Sequence, residues 1–285
     1  MQIVRRIKDF KRALLEWRKE ELRVALVPTM GALHDGHLSL VDKAKTRSDR
    51  VIGTSFVNPK QFSPDEDLKI YPRDEVSDKI KFEKAGASLL FVPSVAEMYP
   101  SGYLTKVYVK GISDILEGKY RPHYLSGVAT IVSKLLILAK PDIAIFGEKD
   151  YQQLCLVRTL VRDLNLEVEI LGVPTVRELD GLAMSSRNTY LSSSQRKIAP
   201  NLFEELRGIC EIARKNGDID RACISATQKL LKKGYDKVDY IVCRDSHTLS
   251  KYDPRKNSGR VLGAAWLGKT RLIDNLEISS RRVES

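Results

Sequence analysis

Pro28-Thr29-Met30-Gly31-Ala32-Leu33-His34-Asp35-Gly36-His37 stands between two apolar segments of different period. Before it, Val24-Ala25-Leu26-Val27 is short and unbroken, the pattern of a strand buried on both faces of a parallel sheet. After it, Leu38-Ser39-Leu40-Val41-Asp42-Lys43-Ala44 has helical spacing. A glycine-containing turn from strand to helix is expected to leave backbone N–H groups facing outward at the positive end of a helix dipole. That is a seat for phosphate. His34 and His37, with Gly36 between them, can donate to phosphate oxygens there without a bulky side chain in the way.

Working outward, the same alternation repeats. Strands are expected at 24–27, 50–56, 88–92, 143–146 and 167–172, and helices at 38–47, 75–85, 126–139 and 153–164. Strand followed by helix, repeated, predicts an α/β fold, a Rossmann-like parallel sheet over residues 1–175 with helices on both faces. Ligands of such sheets bind at the carboxyl ends of the strands. From Met1 to Glu20 the spacing of Ile3, Val4, Ile7, Phe10, Leu14, Leu15 and Trp17 reads as an amphipathic helix. Beyond Val176 the character changes. A loop from Arg177 to Arg187 leads through Ser192, a candidate N-cap, into a helix over 195–215. A helix near 221–233, a strand at 238–243 and a pair of short strands ending at Arg271-Leu272-Ile273-Asp274-Asn275 follow. Residues 176–285 therefore read as a smaller α+β domain, expected to close over the active site.

Composition narrows the class. The 285 residues are 42 % hydrophobic and 30 % charged, an ordinary globular balance. No run approaches the ~18 apolar residues of a membrane span, and the N-terminus lacks the apolar core of a secretory signal. Cys155, Cys210, Cys223 and Cys243 are far apart with no CxxC pair, which speaks against disulfides and metal and for a reducing, cytoplasmic setting. The net charge of +11 raises nucleic acid as a partner. Yet the basic residues are mixed with acids, as in Arg18-Lys19-Glu20-Glu21, and only short clusters such as Lys232-Lys233 and Arg281-Arg282 stand out. Attraction of small anionic substrates is the better reading.

Three further constellations follow strand-like runs or loops. Phe146-Gly147-Glu148-Lys149-Asp150-Tyr151-Gln152-Gln153 combines a glycine for close approach, the mobile charge of Lys149, and Asp150, which can accept from a ribose hydroxyl or help hold a metal. Met184-Ser185-Ser186-Arg187-Asn188 groups two hydroxyls and a guanidinium able to chelate a triphosphate. Phe56-Val57-Asn58-Pro59-Lys60-Gln61-Phe62 offers Gln61 to a polar organic substrate. Taken singly, each is a common loop, and His123 and His247 read as surface or structural residues. Taken together they suggest nucleotidyl transfer. There is no P-loop, GxGxxG, HExxH or GxSxG pattern, so P-loop, dinucleotide, zinc-peptidase and serine-hydrolase readings lack support.

In this order, and with Tyr71-Pro72-Arg73, Val173-Pro174-Thr175-Val176-Arg177-Glu178 and the 271–275 segment, the motifs are far more specific than their parts. The chain resembles the pantoate–β-alanine ligase (pantothenate synthetase) family of the HIGH-motif nucleotidyltransferase superfamily from end to end. The resemblance implies a cytoplasmic homodimer that uses ATP with Mg2+ to activate pantoate as an adenylate, which β-alanine then attacks. No nucleic-acid or membrane partner is implied. By the same resemblance His37, His34, Lys149 and Arg187 are catalytic, and His37 is the proton donor. ATP would be held by Met30, Gly31, His34, Gly36, His37, Gly147, Glu148, Lys149, Asp150, Val176, Met184, Ser185, Ser186 and Arg187. Pantoate and β-alanine would be held by Gln61 and Gln153 with Asn58 and Tyr71, and no residue is assigned to a dedicated metal site.

The sequence departs from the family pattern once. The family reads Arg-Pro, a small residue, His-Phe, any residue, Gly-Val. Here the segment is Arg121-Pro122-His123-Tyr124-Leu125-Ser126-Gly127-Val128. Either a one-residue shift brings the imidazole of His123 back to its place, or Tyr124 takes that place as a hydrogen-bonding wall of the pocket. The second is the preferred expectation. Two other functions stay in view: a HIGH-type transferase for a different acid or phosphate, and a basic RNA-binding protein on the same fold, which salt-dependent retention on RNA would reveal.

Overall fold

The computed structural model describes residues 1–64, 66–256 and 258–278. Its contacts divide the chain into two compact units, one of Met1–Glu148 with Gln152–Pro174, the other of Lys149–Tyr151 with the chain from Thr175 onward. The short Lys149–Tyr151 segment thus groups with the second unit, although the sequence reading placed it in the first.

The first unit holds a six-stranded sheet. Its strands are β1 (Gln2–Val4), β2 (Val24–Thr29), β3 (Arg50–Ser55), β4 (Leu89–Phe91), β5 (Ile143–Gly147) and β6 (Glu169–Val173). All neighbours pair in parallel, in the order β1-β4-β3-β2-β5-β6. From β2 the chain winds outward through β3 to β4, then returns to lay β5 on the other side of β2. The switch point is therefore between β2 and β5, where open α/β sheets bind ligands. The helices are α1 (Ile7–Lys19), α2 (Asp35–Lys45), α3 (Glu75–Ala85), α4 (Val95–Met98), α5 (Glu117–Tyr120), α6 (Tyr124–Ala139) and α7 (Tyr151–Asp163). Ala25, Val27, Val41, Phe82, Leu90, Ile143 and Ile145 form a core beneath α2 and α3. Phe10 of α1 stacks on Phe91 with ring centroids 4.3 Å apart.

Several boundaries move from where periodicity placed them. Ile3 and Val4 belong to an edge strand, not to the N-terminal helix: the Gln2 N–H donates to the Ser88 carbonyl, and pairing suits two β-branched residues. In α1, Phe10 and Leu14 are buried one turn apart, whereas Leu15, off that face, is exposed. Helix α2 opens at Asp35 rather than Leu38, so the histidine motif lies at the helix start and not ahead of it. Helices α6 and α7 likewise start two residues before the expected Ser126 and Gln153.

The second unit packs α8 (Ser193–Ile198), α9 (Asn201–Arg214) and α10 (Ile219–Lys232) with an antiparallel sheet of β7 (Lys237–Asp245), β8 (Gly259–Leu267) and β9 (Thr270–Ile278). Leu202, Leu206, Ile209, Leu230, Val261 and Ala265 are among its buried core. Ser192 caps α8 as expected, its hydroxyl accepting from the Gln195 amide. The single helix expected over 195–215 is two, because Pro200 has no N–H to continue the ladder and begins a new helix instead. The final two strands are nine-residue arms of one hairpin turning at Gly268, rather than short strands. Arg281 and Arg282 lie outside the described residues.

Candidate active site

The turn after β2 is built on a buried carboxylate that no local sequence pattern marks. Gly31 (φ +84°) and Ala32 (φ +52°) both take left-handed backbone. Asp78, buried on α3, accepts from the Ala32 and Leu33 amides at 2.9 and 2.8 Å. The Gly31 amide donates to Thr29 Oγ1 at 3.1 Å. These N–H groups are therefore engaged within the protein, against the expectation that the glycine turn itself offers them to phosphate. A side chain at 31 is excluded, since a Cβ there would come within 2.6 Å of Asp78 Oδ2 and 2.7 Å of Ser55 Oγ.

What the turn does is deliver the histidines to the first turn of α2. His34 is the N-cap, in extended conformation, and His37 is the third helical residue. Their rings are tilted with centroids 4.1 Å apart, and His37 Nδ1 accepts a long 3.4 Å contact from the His34 amide. A neutral imidazole that accepts at Nδ1 carries its proton on Nε2. Both rings thus stand at a helix N-terminus, beside the switch point, where backbone dipoles favour anions.

A second group holds glutamine amides on the same unit. Gln61 is buried; its Nε2 donates to Met30 Sδ at 3.0 Å and its Oε1 accepts from Asn58 Nδ2 at 3.0 Å. Asn58 also donates to the Gly127 carbonyl (3.1 Å), and its Oδ1 accepts from Tyr99 Oη (2.8 Å) and the Lys60 amide (3.2 Å). Both amide hydrogens and both acceptor sites of Asn58 are used. Its Nδ2 thereby holds the Gln61 amide oxygen in place. Tyr71 is buried edge-on against Phe62, centroids 5.8 Å apart.

Gln153, half-buried near the start of α7, accepts at Oε1 from the Tyr124 hydroxyl at 3.2 Å. Tyr124 is the first residue of α6, and Arg121 lies over its ring at 3.9 Å from the centroid. Glu66 grips Arg121 with two bonds of 2.8 and 2.7 Å. Burial works against the Arg121 charge, but this pairing outweighs it and holds the guanidinium above its ordinary range. In the 121–128 segment Tyr124 is buried and its hydroxyl donates to Gln153, while His123 is exposed. His247 is also exposed. Gly147, at the end of β5, faces open space where a Cβ would meet nothing within 4 Å, and Glu148 follows it, half-buried.

The remaining residues belong to the second unit. Lys149 and Asp150 carry charges 3.8 Å apart, and the Lys149 carbonyl accepts from Asn275 Nδ2 at 2.9 Å. The loop over 176–188 closes on itself: the Met184 amide donates to the Val176 carbonyl at 3.0 Å, Arg177 bridges to Ala183, and the chain reverses at Gly181. Ser185 caps the turn over Ser186–Tyr190, its Oγ accepting from the Arg187 amide at 3.3 Å. Arg177 anchors the loop to Asp274 with bonds of 2.6 and 2.9 Å. Ser185, Ser186 and Arg187 are half-buried on it. Among the described residues, no three His, Cys, Asp or Glu side chains gather as a metal cage. Nor is any helix there long and apolar enough to cross a membrane.

Sequence reasoning missed Asp78, Tyr99 and the Glu66–Arg121 pair. Asp78 lies 46 residues from the amide it holds, and nothing local marks it. The Arg121 end of the last pair sits in the segment that departs from pattern, the one available signal.

Comparison with known proteins matches the chain over nearly its whole length. The family model described as pantoate–β-alanine ligase matches residues 2–277. A pantothenate synthetase of Paramagnetospirillum magneticum is 51 % identical over 278 residues, covering 98 % of each chain. The solved pantothenate synthetase of Thermus thermophilus superposes with a TM-score of 0.91 at 43 % identity, over 98 % of this chain and 100 % of that one. The pantoate–β-alanine ligase of Francisella tularensis, complexed with β-γ ATP and β-alanine, superposes with a TM-score of 0.84 at 38 % identity, over 98 % of both.

Proposed function

The chain belongs to the pantoate–β-alanine ligase family, and from that premise we propose how its residues divide the work. The reaction condenses pantoate with β-alanine at the expense of ATP, releasing AMP and pyrophosphate. A carboxylate is a poor acyl donor, so it is activated first. A pantoate carboxylate oxygen attacks the α-phosphorus of ATP, the bond to the β-phosphate bridging oxygen breaks, and pyrophosphate leaves. The β-alanine amine, deprotonated, then attacks the acyl carbon of the mixed anhydride. The acyl–oxygen bond breaks, AMP leaves, and the amide forms.

The observation that carries this assignment is the 3.0 Å contact between Gln61 Nε2 and Met30 Sδ. It makes the acid-holding amide a neighbour of the turn that leads to His34 and His37. A carboxylate held at Gln61 is thereby beside the helix N-terminus that faces the α-phosphate. The Asp35 and Gly36 amides in the first turn of α2, with the two imidazoles, stabilise charge on the phosphates, and His37 Nε2–H supplies the proton donor. Lys149, Ser185, Ser186 and Arg187 act on the triphosphate as its charge moves toward pyrophosphate, while Gly147, Glu148, Asp150, Val176 and Met184 hold the nucleoside. Magnesium enters with the triphosphate it is bound to. The second step needs no strong protein base, because placing a free amine next to an activated carbonyl supplies much of the rate. The proposal includes a homodimer acting in the cytoplasm, on the support of family membership.

The test is pyrophosphate release from MgATP and pantoate. The expected result is one enzyme equivalent released in a burst without β-alanine, becoming steady turnover with pantothenate when β-alanine is added. ATP binding without any release on adding pantoate would overturn the acid assignment.

A further inference from the structure

Two adjacent glutamines at the start of α7 are treated differently. Gln152 is buried and saturated: its Oε1 accepts from the Glu117 amide at 3.0 Å, and its Nε2 donates to the Ile112 and Ile115 carbonyls, both at 2.8 Å. Gln153 has only its oxygen engaged, by the Tyr124 hydroxyl. Its Nε2 donates to no protein group among the described residues. An amide fixed at its oxygen by a donor must present its N–H groups to whatever comes next. Gln61 follows the same rule, its oxygen held by Asn58 and Asn58 in turn by Tyr99.

We propose that Tyr124 is a positioning residue for the acid substrate, fixing the Gln153 amide so that its NH2 meets the substrate's hydroxyl or carboxylate oxygens. The proposal rests on the reading of Gln153 as an acid-holding residue. The tyrosine is itself held. Arg121 stacks on its ring, and Glu66 clamps Arg121 with two bonds, so the ring that carries the hydroxyl is held in place. Without that hydroxyl the Gln153 amide can turn over and offer its oxygen, which repels an oxygen-rich acid. A ring placed only to fill space would need no hydroxyl, and a ring placed only to carry Arg121 would be served by phenylalanine.

The experiment is steady-state kinetics on Tyr124→Phe and Gln153→Glu, with thermal unfolding of each. Phenylalanine keeps the ring and its Arg121 contact, so the variant should unfold at the wild-type temperature. Its KM for pantoate should rise about tenfold, with kcat and the KM values for ATP and β-alanine moving less than about twofold. Gln153→Glu keeps an acceptor for Tyr124 and removes both donors, so it should raise the pantoate KM at least as far. The double variant should be no worse than Gln153→Glu alone. If Gln153→Glu leaves the pantoate KM unchanged, the reading of Gln153 fails. If it raises KM while Tyr124→Phe does not, Gln153 stands and the role of Tyr124 is overturned. A Tyr124→Phe variant that shifts all three KM values and lowers the melting temperature would also overturn it, since that is the signature of packing.

Discussion

Asp78 shows how much a single buried residue does for this site. Its carboxylate takes two amides from a turn in which Gly31 and Ala32 are both left-handed, a backbone that an alanine adopts only under constraint. Removing the acceptor leaves two amides unsatisfied and the turn unsupported. Asp78→Ala should therefore cost about 3 kcal/mol of stability, the loss of two bonds to a charged group, read by urea denaturation. Asp78→Asn keeps one acceptor oxygen and should cost less. Because the same turn aims His34 and His37, both variants should also raise the KM for ATP. A full loss of stability with nucleotide kinetics untouched would separate the turn from the histidines. At this scale the sequence was legible where the chemistry is local, in the spacing of His34 and His37. It was silent where the support comes from another helix.

At the scale of elements, helix α6 meets the 59–61 turn backbone to backbone at Gly127. A Cβ there would lie 2.2 Å from the Lys60 carbonyl oxygen and 2.7 Å from the Gln61 Cα, and backbone atoms have no rotamer to retreat into. Gly127→Ala should destabilise by about 2–3 kcal/mol and raise the pantoate KM by pushing Gln61 away, checked by thermal unfolding alongside kinetics. In the three-stranded sheet, Asp239 is the element-scale charge. Burial alone would push its carboxyl up, but Arg271 Nε at 2.8 Å, Lys237 at 2.9 Å and Trp266 Nε1 at 3.0 Å outweigh this and hold it below the ordinary carboxylate range. A folded value below the unfolded one, about 3.9, means stability that is present above that pH and lost as pH falls through the lower folded value. The urea midpoint should decline below about pH 4, and Asp239→Asn should flatten that decline. Elements were legible in sequence wherever one period ran unbroken: α3 lies where its spacing put it, between an Asp74 cap and a left-handed Gly86. Boundaries set by capping or proline were not. Helix α2 starts at Asp35, where the His37 ring reaches back to the His34 amide, and Pro200 divides what periodicity joins.

At the scale of the whole molecule, the residues expected to carry the first half-reaction come from two units with separate cores: His34 and His37 from one, Lys149, Ser185, Ser186 and Arg187 from the other. A net charge of +11 attracts anionic substrates to the chain as a whole, but charge by itself does not make the two sets cooperate. Kinetics can show whether they do. If His37 and Lys149 stabilise the same developing charge, each supplies its full effect only while the other holds the phosphates in place. His37→Ala and Lys149→Ala should then each slow single-turnover pyrophosphate release about 100- to 1000-fold. The double variant should fall far short of the product of the two, because groups that act on one transition state do not multiply when removed. Circular dichroism melts of the three variants should stay close to wild type: Lys149 and both histidines are half-buried, none belonging to either core. Multiplicative losses would mean that the two groups contribute independently to pyrophosphate release. A Lys149→Ala variant that releases pyrophosphate at the wild-type single-turnover rate would place Lys149 outside adenylate formation, and the division of labour proposed for the second unit would have to be redrawn.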